Sequence, residues 1–238
     1  MTFRHLAINI AALMVIAQAG CVHTEITEEL NAQAVRRPYR KILVCSMSED
    51  PKVGIKVESI LRDDLVPHSV TVETGRDLLY PMRERADGEV VAEIKKRHFD
   101  GILITRRIEA AVSSSTVKDV IFAAPAAHQR ENEPVGSATD VQDFVSAYLR
   151  LLSTDHPAST ERQLKDSATA QGVVGKEIEV HARADLLGVR ENQIVWSTGG
   201  IIEGSPHRPL PEFIQSFAKT IETGLLQEKF IPADRHTN

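Results

Sequence analysis

The sequence predicts an α/β domain with an α+β tendency: a strand–helix–strand–helix–strand core, then an antiparallel hairpin and a carboxy-terminal amphipathic helix. Three patterns predict this order. Short apolar runs alternate with amphipathic segments in the first half of the chain, a strictly alternating segment lies at 178–185, and the last segment has helical spacing. Helices on one face of the sheet would give a two-layer sandwich and helices on both faces a three-layer sandwich, and the sequence fits either.

The first strand and helix carry their own start and stop signals. Residues 42–46 form a short apolar, partly β-branched run, which is typical of a strand buried on both faces. Asp50 and Pro51 then predict a helix start, because aspartate caps the free backbone N–H groups and proline lacks the N–H that the first turn leaves unused. Apolar residues at helical spacing follow until Pro67 ends the helix.

Two more strands complete the predicted core. Val70 and Val72 alternate with polar neighbours in a second short strand, and a charged connection follows at 76–86. A second helix opens at Asp87, and a third buried strand covers 102–104. Consecutive strands joined by helices predict right-handed crossovers and a parallel sheet.

A long insertion separates this core from the hairpin. Residues 113–172 are rich in Pro, Ser, Thr and Ala and predict an irregular segment, except for a helix at 139–152. Thr139 and Gln142 form a capping box at its start, and an apolar stripe follows. This helix could be a lid or a docking element for a partner, but packing on the sheet edge is the favoured interpretation.

The hairpin is predicted from a two-residue period. Apolar residues at every second position of 178–184 alternate with polar ones, and a turn through Gly188 leads to a second strand at 194–197. Trp196 in that strand is predicted to be a core anchor. Two closely spaced prolines then start the terminal helix, whose apolar face runs to Leu225.

One face of the first hairpin strand is the candidate polar site. Glu179, His181, Arg183 and Asp185 alternate with the apolar positions, so they share a face of the strand. They could bind a small polar ligand or the charges of a partner. The favoured interpretation is the solvated face of an antiparallel strand, stabilised by cross-strand pairs.

The amino terminus resembles a bacterial lipoprotein signal. Residues 1–20 hold one firm cation, Arg4, no acid, and an apolar run followed by small residues, which is the order of a secretory signal. The run is about a dozen residues long, short of the roughly 20 that span a bilayer. Residues 18–21 read Gln-Ala-Gly-Cys and resemble a lipobox, with glutamine where leucine is usual. An ordinary secretory signal with a coincidental cysteine is the alternative.

This resemblance implies a location. In such proteins the signal is cleaved and the cysteine, here Cys21, becomes the acylated amino terminus, where more than one acyl chain gives stable attachment to the membrane. Val22 stands where an aspartate would favour the inner membrane, so the resemblance implies the outer membrane with the domain in the periplasm. We therefore expect a signal at 1–20, a flexible tether at 21–38, one domain at 39–231 and a tail at 232–238.

Composition and motifs argue against catalysis. The formal net charge of −5 is unfavourable for nucleic acid as a partner. Residues 172–176 look like a phosphate loop but lack its first glycine and its serine or threonine, and no histidine or cysteine pair has metal-ligand spacing. Cys45 lies in an apolar run and is predicted to be a buried small hydrophobe rather than a reactive thiol. We expect no cofactor, no metal and no enzymatic activity.

The order of elements resembles a family of small, largely uncharacterised bacterial lipoproteins. The resemblance lies in residues 41–108, with Gly-Ile-Leu-Ile-Thr at 101–105, and in the hairpin, with Val-Trp-Ser at 195–197. The fold is similar to the periplasmic domain of the curli secretion lipoprotein and to the amino-terminal domain of the Tol–Pal translocation protein. This resemblance implies a noncatalytic binding or scaffold module with a protein partner in the envelope. The alternatives are a subunit of an oligomeric export complex like the curli lipoprotein and an enzyme with an unrecognised site.

Overall fold

The protein forms one mixed sheet that is covered by helices. The computed structural model describes residues 23–30, 37–48, 50–106, 109–112, 140–153, 178–204 and 210–233. The strands are β1 His23–Leu30, β2 Lys41–Ser46, β3 Thr71–Thr74, β4 Gly101–Thr105, β5 Glu109–Val112, β6 Ile178–Gly188 and β7 Gln193–Gly204. The helices are α1 Pro51–Leu65, α2 Gly75–Leu79, α3 Asp87–Lys96, α4 Val141–Ser153 and α5 Leu210–Gln227. The strand order is β1-β7-β6-β4-β2-β3, and β5 pairs with β6.

The first half of the chain confirms the predicted α/β class and its strand–helix order. β2 pairs in parallel with β3 on one side and with β4 on the other. α1 begins at Pro51, and the Asp50 carboxylate accepts the backbone N–H of Lys52 at 2.9 Å, as expected of an N-cap. The segment predicted as a charged connection contains α2, because the Thr74 hydroxyl caps it by accepting the backbone N–H of Asp77 at 3.2 Å.

Helices lie on both faces of the sheet, so the domain is a three-layer sandwich. On one face α1 and α5 pack against the central strands through a core that includes Trp196, Phe217 and Ile221. On the other face α2, α3 and α4 pack against β2 and β4 through a second core. Trp196 has no exposed surface, as predicted for a core anchor. The segments before β2 and after α5 meet in the first core, where Tyr39 stacks on Phe230 with ring centroids 5.9 Å apart.

The predicted antiparallel hairpin is formed by β6 and β7. β4 and β5 both pair with β6 and form one interrupted strand, in which Thr105 lies opposite Ala184 and Glu109 lies opposite His181. Four steps along this strand therefore face three steps along β6, which is the count of a β-bulge. The bulge falls next to the candidate polar face.

The prediction of a flexible tether at 21–38 is wrong for residues 23–30, which form β1. All eight residues pair antiparallel with β7. Apolar residues are sparse in this segment, so its sequence pattern gives little sign of a strand. The pairing of an edge strand depends on backbone hydrogen bonds to one neighbour, and β7 supplies that neighbour from the far end of the chain. Cys21, the signal at 1–20 and the last residues, 234–238, lie outside the described residues.

The helix predicted inside the insertion is α4, but its cap differs. Asp140 caps it in place of Thr139, since the Asp143 backbone N–H donates to the Asp140 carboxylate at 2.9 Å. The apolar stripe of α4 is buried against the face of the sheet and not at its edge, because it shares a core with β2, β4 and α3. The rest of the insertion, 113–139 and 154–177, lies outside the described residues.

Candidate functional site

A buried charged cluster surrounds Asp185 on β6. Asp185 lies opposite Ser197 on β7, and the Ser197 hydroxyl donates to its carboxylate at 2.6 Å. The Arg183 guanidinium donates to the same oxygen at 3.1 Å, and the Arg106 guanidinium donates to the other. The side chain of Asp185 has no exposed surface. Two cations and a hydroxyl therefore compensate the cost of burying this charge.

The regular register between β4 and β6 brings Arg106 to this cluster. The backbone N–H of Arg106 donates to the Arg183 carbonyl at 2.8 Å, one position beyond the pair of Thr105 and Ala184. Because alternate residues of a strand share a face, Arg106 lies on the same face as Ile104, the residue opposite Asp185. As a result three adjacent segments each supply one partner to Asp185.

The predicted polar face divides at this point. Arg183 keeps 51% of its side-chain surface exposed, which fits a solvated position. A solvated position is wrong for Asp185, because its neighbours in register are Ile104, which belongs to the second core, and the buried Ser197. The alternating sequence predicts that the four polar residues share a face of β6. It does not predict which of them are covered by the helices that pack on that face.

Glu179 and His181 are described by backbone position alone. They lie on the part of β6 that pairs with β5 and with the last residues of β7. His181 stands four residues from Asp185 on the same strand, which is about 13 Å at 3.3 Å per residue. Ser197 and Asp185 therefore do not form the hydroxyl–imidazole–carboxylate arrangement of a hydrolase with His181. The cluster joins strands, and Arg183 is its most exposed side chain.

A second polar cluster centres on Glu58 in α1, and sequence reasoning missed it. Its carboxylate accepts three hydrogen bonds: from the backbone N–H of Ser46 at 2.9 Å, from that of Arg76 at 3.1 Å and from the Tyr148 hydroxyl at 2.7 Å. Burial raises the pKa of Glu58 above its ordinary value, although these hydrogen bonds oppose the shift. The one sequence signal for it is an acid placed among the apolar positions of an amphipathic helix.

The Glu58 cluster joins four elements at the carboxyl end of β2. Ser46 ends β2, Glu58 belongs to α1, Arg76 to α2 and Tyr148 to α4. Cys45 lies beside them and is fully buried, which confirms its predicted burial. Burial raises the pKa of the Cys45 thiol well above its ordinary value, so the thiol stays protonated and is a poor nucleophile.

A third buried pair links α1 and α5 on the opposite face. His68, in the turn after α1, makes a hydrogen bond of 2.8 Å to Glu222 of α5, and both side chains are more than nine-tenths buried. Burial alone would raise the pKa of Glu222, but hydrogen bonds from Lys219 and His68 hold it below its ordinary value. Burial, together with the charge of Glu222, raises the pKa of Asp64. This pair fixes α5 against the first helix.

Among the described residues, two open grooves border the helices. The larger, of about 510 Å³, runs beside the edge strand β3. Its charges compensate one another, since Arg97 pairs with Glu73 at 3.0 Å and with Glu93 at 2.9 Å. The smaller, of about 360 Å³, lies between the end of α3 and the turn that joins β6 to β7.

Within the described ranges, no three His, Cys, Asp or Glu side chains are grouped so that they could hold a metal ion. Among the same residues, no helix has both the length and the apolar character needed to cross a bilayer.

Comparison with known proteins gives distant structural neighbours. No family of known proteins matches the chain, and no curated protein is detectably similar in sequence. The PelC dodecamer from Paraburkholderia phytofirmans is similar at 13% identity over 87% of this chain and 99% of that chain, with a TM-score of 0.42. Lipoprotein GNA1162 from Neisseria meningitidis is similar at 11% identity over 79% of this chain and 98% of that chain, with a TM-score of 0.39. The resemblance to the curli and Tol–Pal proteins stays a prediction.

Proposed function

We propose that the protein is a lipid-anchored, periplasm-facing envelope lipoprotein whose α/β domain is a noncatalytic binding or scaffold module. The observation that carries this proposal is the position of β1. Its first residue, His23, follows Cys21 by two positions. An acyl group on Cys21 would therefore be attached almost directly to the edge of the sheet.

The short link sets how close the domain stands to the bilayer. Two residues span at most about 7 Å, whereas a flexible tether of about 16 residues would reach roughly 20–25 Å. Because β1 pairs with β7 along its whole length, the anchor restrains the orientation of the sheet as well as its distance from the membrane. Such a module presents a defined surface to a partner.

The buried polar clusters support binding rather than catalysis. The oxygens of Asp185 and Glu58 accept hydrogen bonds from protein donors, and both side chains are buried. Neither carboxylate is within reach of a substrate as a general acid or base. The protein would instead act through its surface, on a partner in the envelope.

The proposed location is the periplasmic face of the outer membrane. The residue after Cys21 is Val22, and in bacterial lipoproteins an aspartate at that position favours retention in the inner membrane. More than one acyl chain on Cys21 would attach the protein stably to the membrane without a second membrane-binding segment.

The test removes the anchor and leaves the domain intact. Cys21→Ser should move the protein from the membrane fraction to the soluble periplasmic fraction and abolish incorporation of labelled palmitate. Cys45→Ala is the matched control, because it removes the other cysteine of the chain and should leave both readouts unchanged. A Cys21→Ser protein that still sediments with outer membrane would contradict the proposal.

A further inference from the structure

We propose that the smaller groove binds an acidic, extended segment of a partner protein. This inference rests on the proposed function, in which the domain is a binding module. The groove is formed by the last turn of α3, the segment that leads from α3 to β4 and the turn between β6 and β7. It is lined by Lys95, His98, Phe99, Asp100, Val189 and Arg190.

Two cations line this groove without an ion pair to any described residue. Lys95 and Arg190 are exposed, and the exposed Arg40 is next to the groove along the chain's path, since its backbone N–H donates to the Asp100 carboxylate at 2.9 Å. Among the described residues, no carboxylate forms an ion pair with Lys95, Arg190 or Arg40. The patch is basic although the whole chain has a formal net charge of −5.

The acids nearest to the groove are occupied by other partners. The Asp100 carboxylate accepts the backbone N–H groups of Arg40 at 2.9 Å and Lys41 at 3.1 Å. Glu191 follows Arg190 in the turn but pairs with Arg37 at 3.2 Å. Neither acid forms an ion pair with Lys95 or Arg190, and Asp100 contributes one negative charge to the groove.

The helix dipole does not account for this patch. Cations stabilise the carboxyl end of a helix, and Lys41 already fills that role for α3 by donating to the Arg97 carbonyl at 3.1 Å. Arg190 comes from the turn between β6 and β7, so it is not part of the helix end. Cations from two separate segments line one groove, which is typical of a surface for an anionic partner.

The position of the groove favours a protein over a lipid headgroup. Leu30 of β1 and Leu186 of β6 lie at the same level of the sheet, since both are opposite Trp196 of β7. His23 lies seven positions from this level along β1, and Gly188 lies two positions from it in the opposite direction along β6. Nine positions correspond to roughly 30 Å along the strands. The groove therefore lies at the end of the sheet farthest from the proposed anchor, and it faces away from the bilayer that holds Cys21.

An extended acidic segment fits this solvated rim better than a single anion. The cations stand on the rim and stay solvated, so a single contact with a carboxylate contributes little. Useful affinity then needs several carboxylates along one segment. Such binding weakens as salt rises, because the rim charges are screened.

The experiment measures binding of a defined probe to the full chain in a non-ionic detergent. The probe is a fluorescent dodecapeptide rich in Glu and Asp, followed by anisotropy at low and high ionic strength. The double substitution Lys95→Glu with Arg190→Glu should weaken binding by about tenfold or more. The matched control, Lys52→Glu with Lys56→Glu, makes the same charge change on exposed lysines of α1 and should shift affinity by less than about twofold.

Four results would overturn the inference. They are no binding of the acidic peptide at low ionic strength, equal loss in both double variants, equal binding of a peptide with Gln and Asn in place of the acids, and binding of phosphatidylglycerol vesicles through the groove while the peptide fails. Each leaves the anchor proposal intact if Cys21→Ser still releases the protein from the membrane. Conversely, groove binding persists in detergent whether or not Cys21 carries lipid, so the two proposals fail separately.

Discussion

Glu58 makes the stability of the domain depend on pH. Burial raises the pKa of this carboxyl in the folded protein above its ordinary value of 4.5. The folded state therefore binds the proton more tightly than the unfolded chain does. The stabilising contribution of the protonated group is complete below pH 4.5 and is lost as the pH rises through the raised pKa.

Replacement of Glu58 by glutamine tests this linkage. The amide nitrogen cannot accept a hydrogen bond, so the backbone N–H of either Ser46 or Arg76 loses its acceptor, at a cost of about 1–3 kcal/mol. Because the variant does not titrate at this site, the difference in unfolding free energy between wild type and Glu58→Gln should be largest near pH 4 and should narrow toward pH 7. Urea unfolding at a series of pH values measures it.

Glu93 provides the opposite control. Its pKa is lowered by the hydrogen bond from Arg97, and it lies on the surface of α3. For Glu93→Gln the difference in unfolding free energy from wild type should widen as the pH rises, the reverse of the trend for Glu58→Gln. A Glu58→Gln difference that does not vary with pH would contradict the assignment of a raised pKa to Glu58.

Gly75 lies where the Glu58 cluster leaves no room for a side chain. A Cβ atom there would stand 2.5 Å from the Cys45 sulfur and 2.7 Å from the Tyr148 hydroxyl, and both of those groups are buried. We expect Gly75→Ala to destabilise the protein by about 1–3 kcal/mol through overpacking. Gly88→Ala is the control, since nothing lies within 4 Å of its added Cβ and alanine favours the helix. Equal thermal stability of the two variants would show that the close packing around Gly75 is absent.

Single residues were predictable where the signal is local. The cap at Asp50, the burial of Cys45 and the core position of Trp196 follow from near neighbours in sequence. The burial of Glu58 and Asp185 does not, because it depends on α4 and on Arg106, which approach from distant parts of the chain.

At the level of elements, the pairing of β1 with β7 can be tested by proline substitutions, which a flexible tether would tolerate equally well. In an edge strand, alternate backbone N–H groups bond to the neighbouring strand and the others point outward. The single substitutions Glu25→Pro and Ile26→Pro should therefore differ in their effect on stability. One should lower the free energy of unfolding by about 0.5–1.5 kcal/mol or more, because it removes a hydrogen bond to β7, and the other should lower it much less. Thermal unfolding of the two variants measures this. Two neutral substitutions would mean that residues 23–30 do not pair with β7.

The elements that the sequence predicts are those whose pattern is complete in one segment. β2, α1, β4 and the hairpin each have a clear period and clear boundaries. β1 has neither, because its stability comes from β7, which lies near the other end of the chain. The bulge between β4 and β5 is hidden for the same reason, since it is defined only by the register against β6.

For the whole molecule, the chain places two features at opposite ends of one sheet. β1 begins two residues after Cys21 at one end, and the basic groove lies about nine strand positions away at the other, roughly 30 Å. A lipid on Cys21 would hold the first end at the membrane and direct the groove into the periplasm. The lipobox in the sequence predicts the anchor, but the direction of the domain follows only from the pairing of β1.

The most direct test of this account is the intact mass of the protein purified from outer membranes in its native form. We predict a chain that begins at Cys21, heavier than the unmodified polypeptide by a thioether-linked diacylglycerol and an amide-linked acyl chain. A chain with an unmodified thiol at Cys21, or one that is cut elsewhere, would contradict the account.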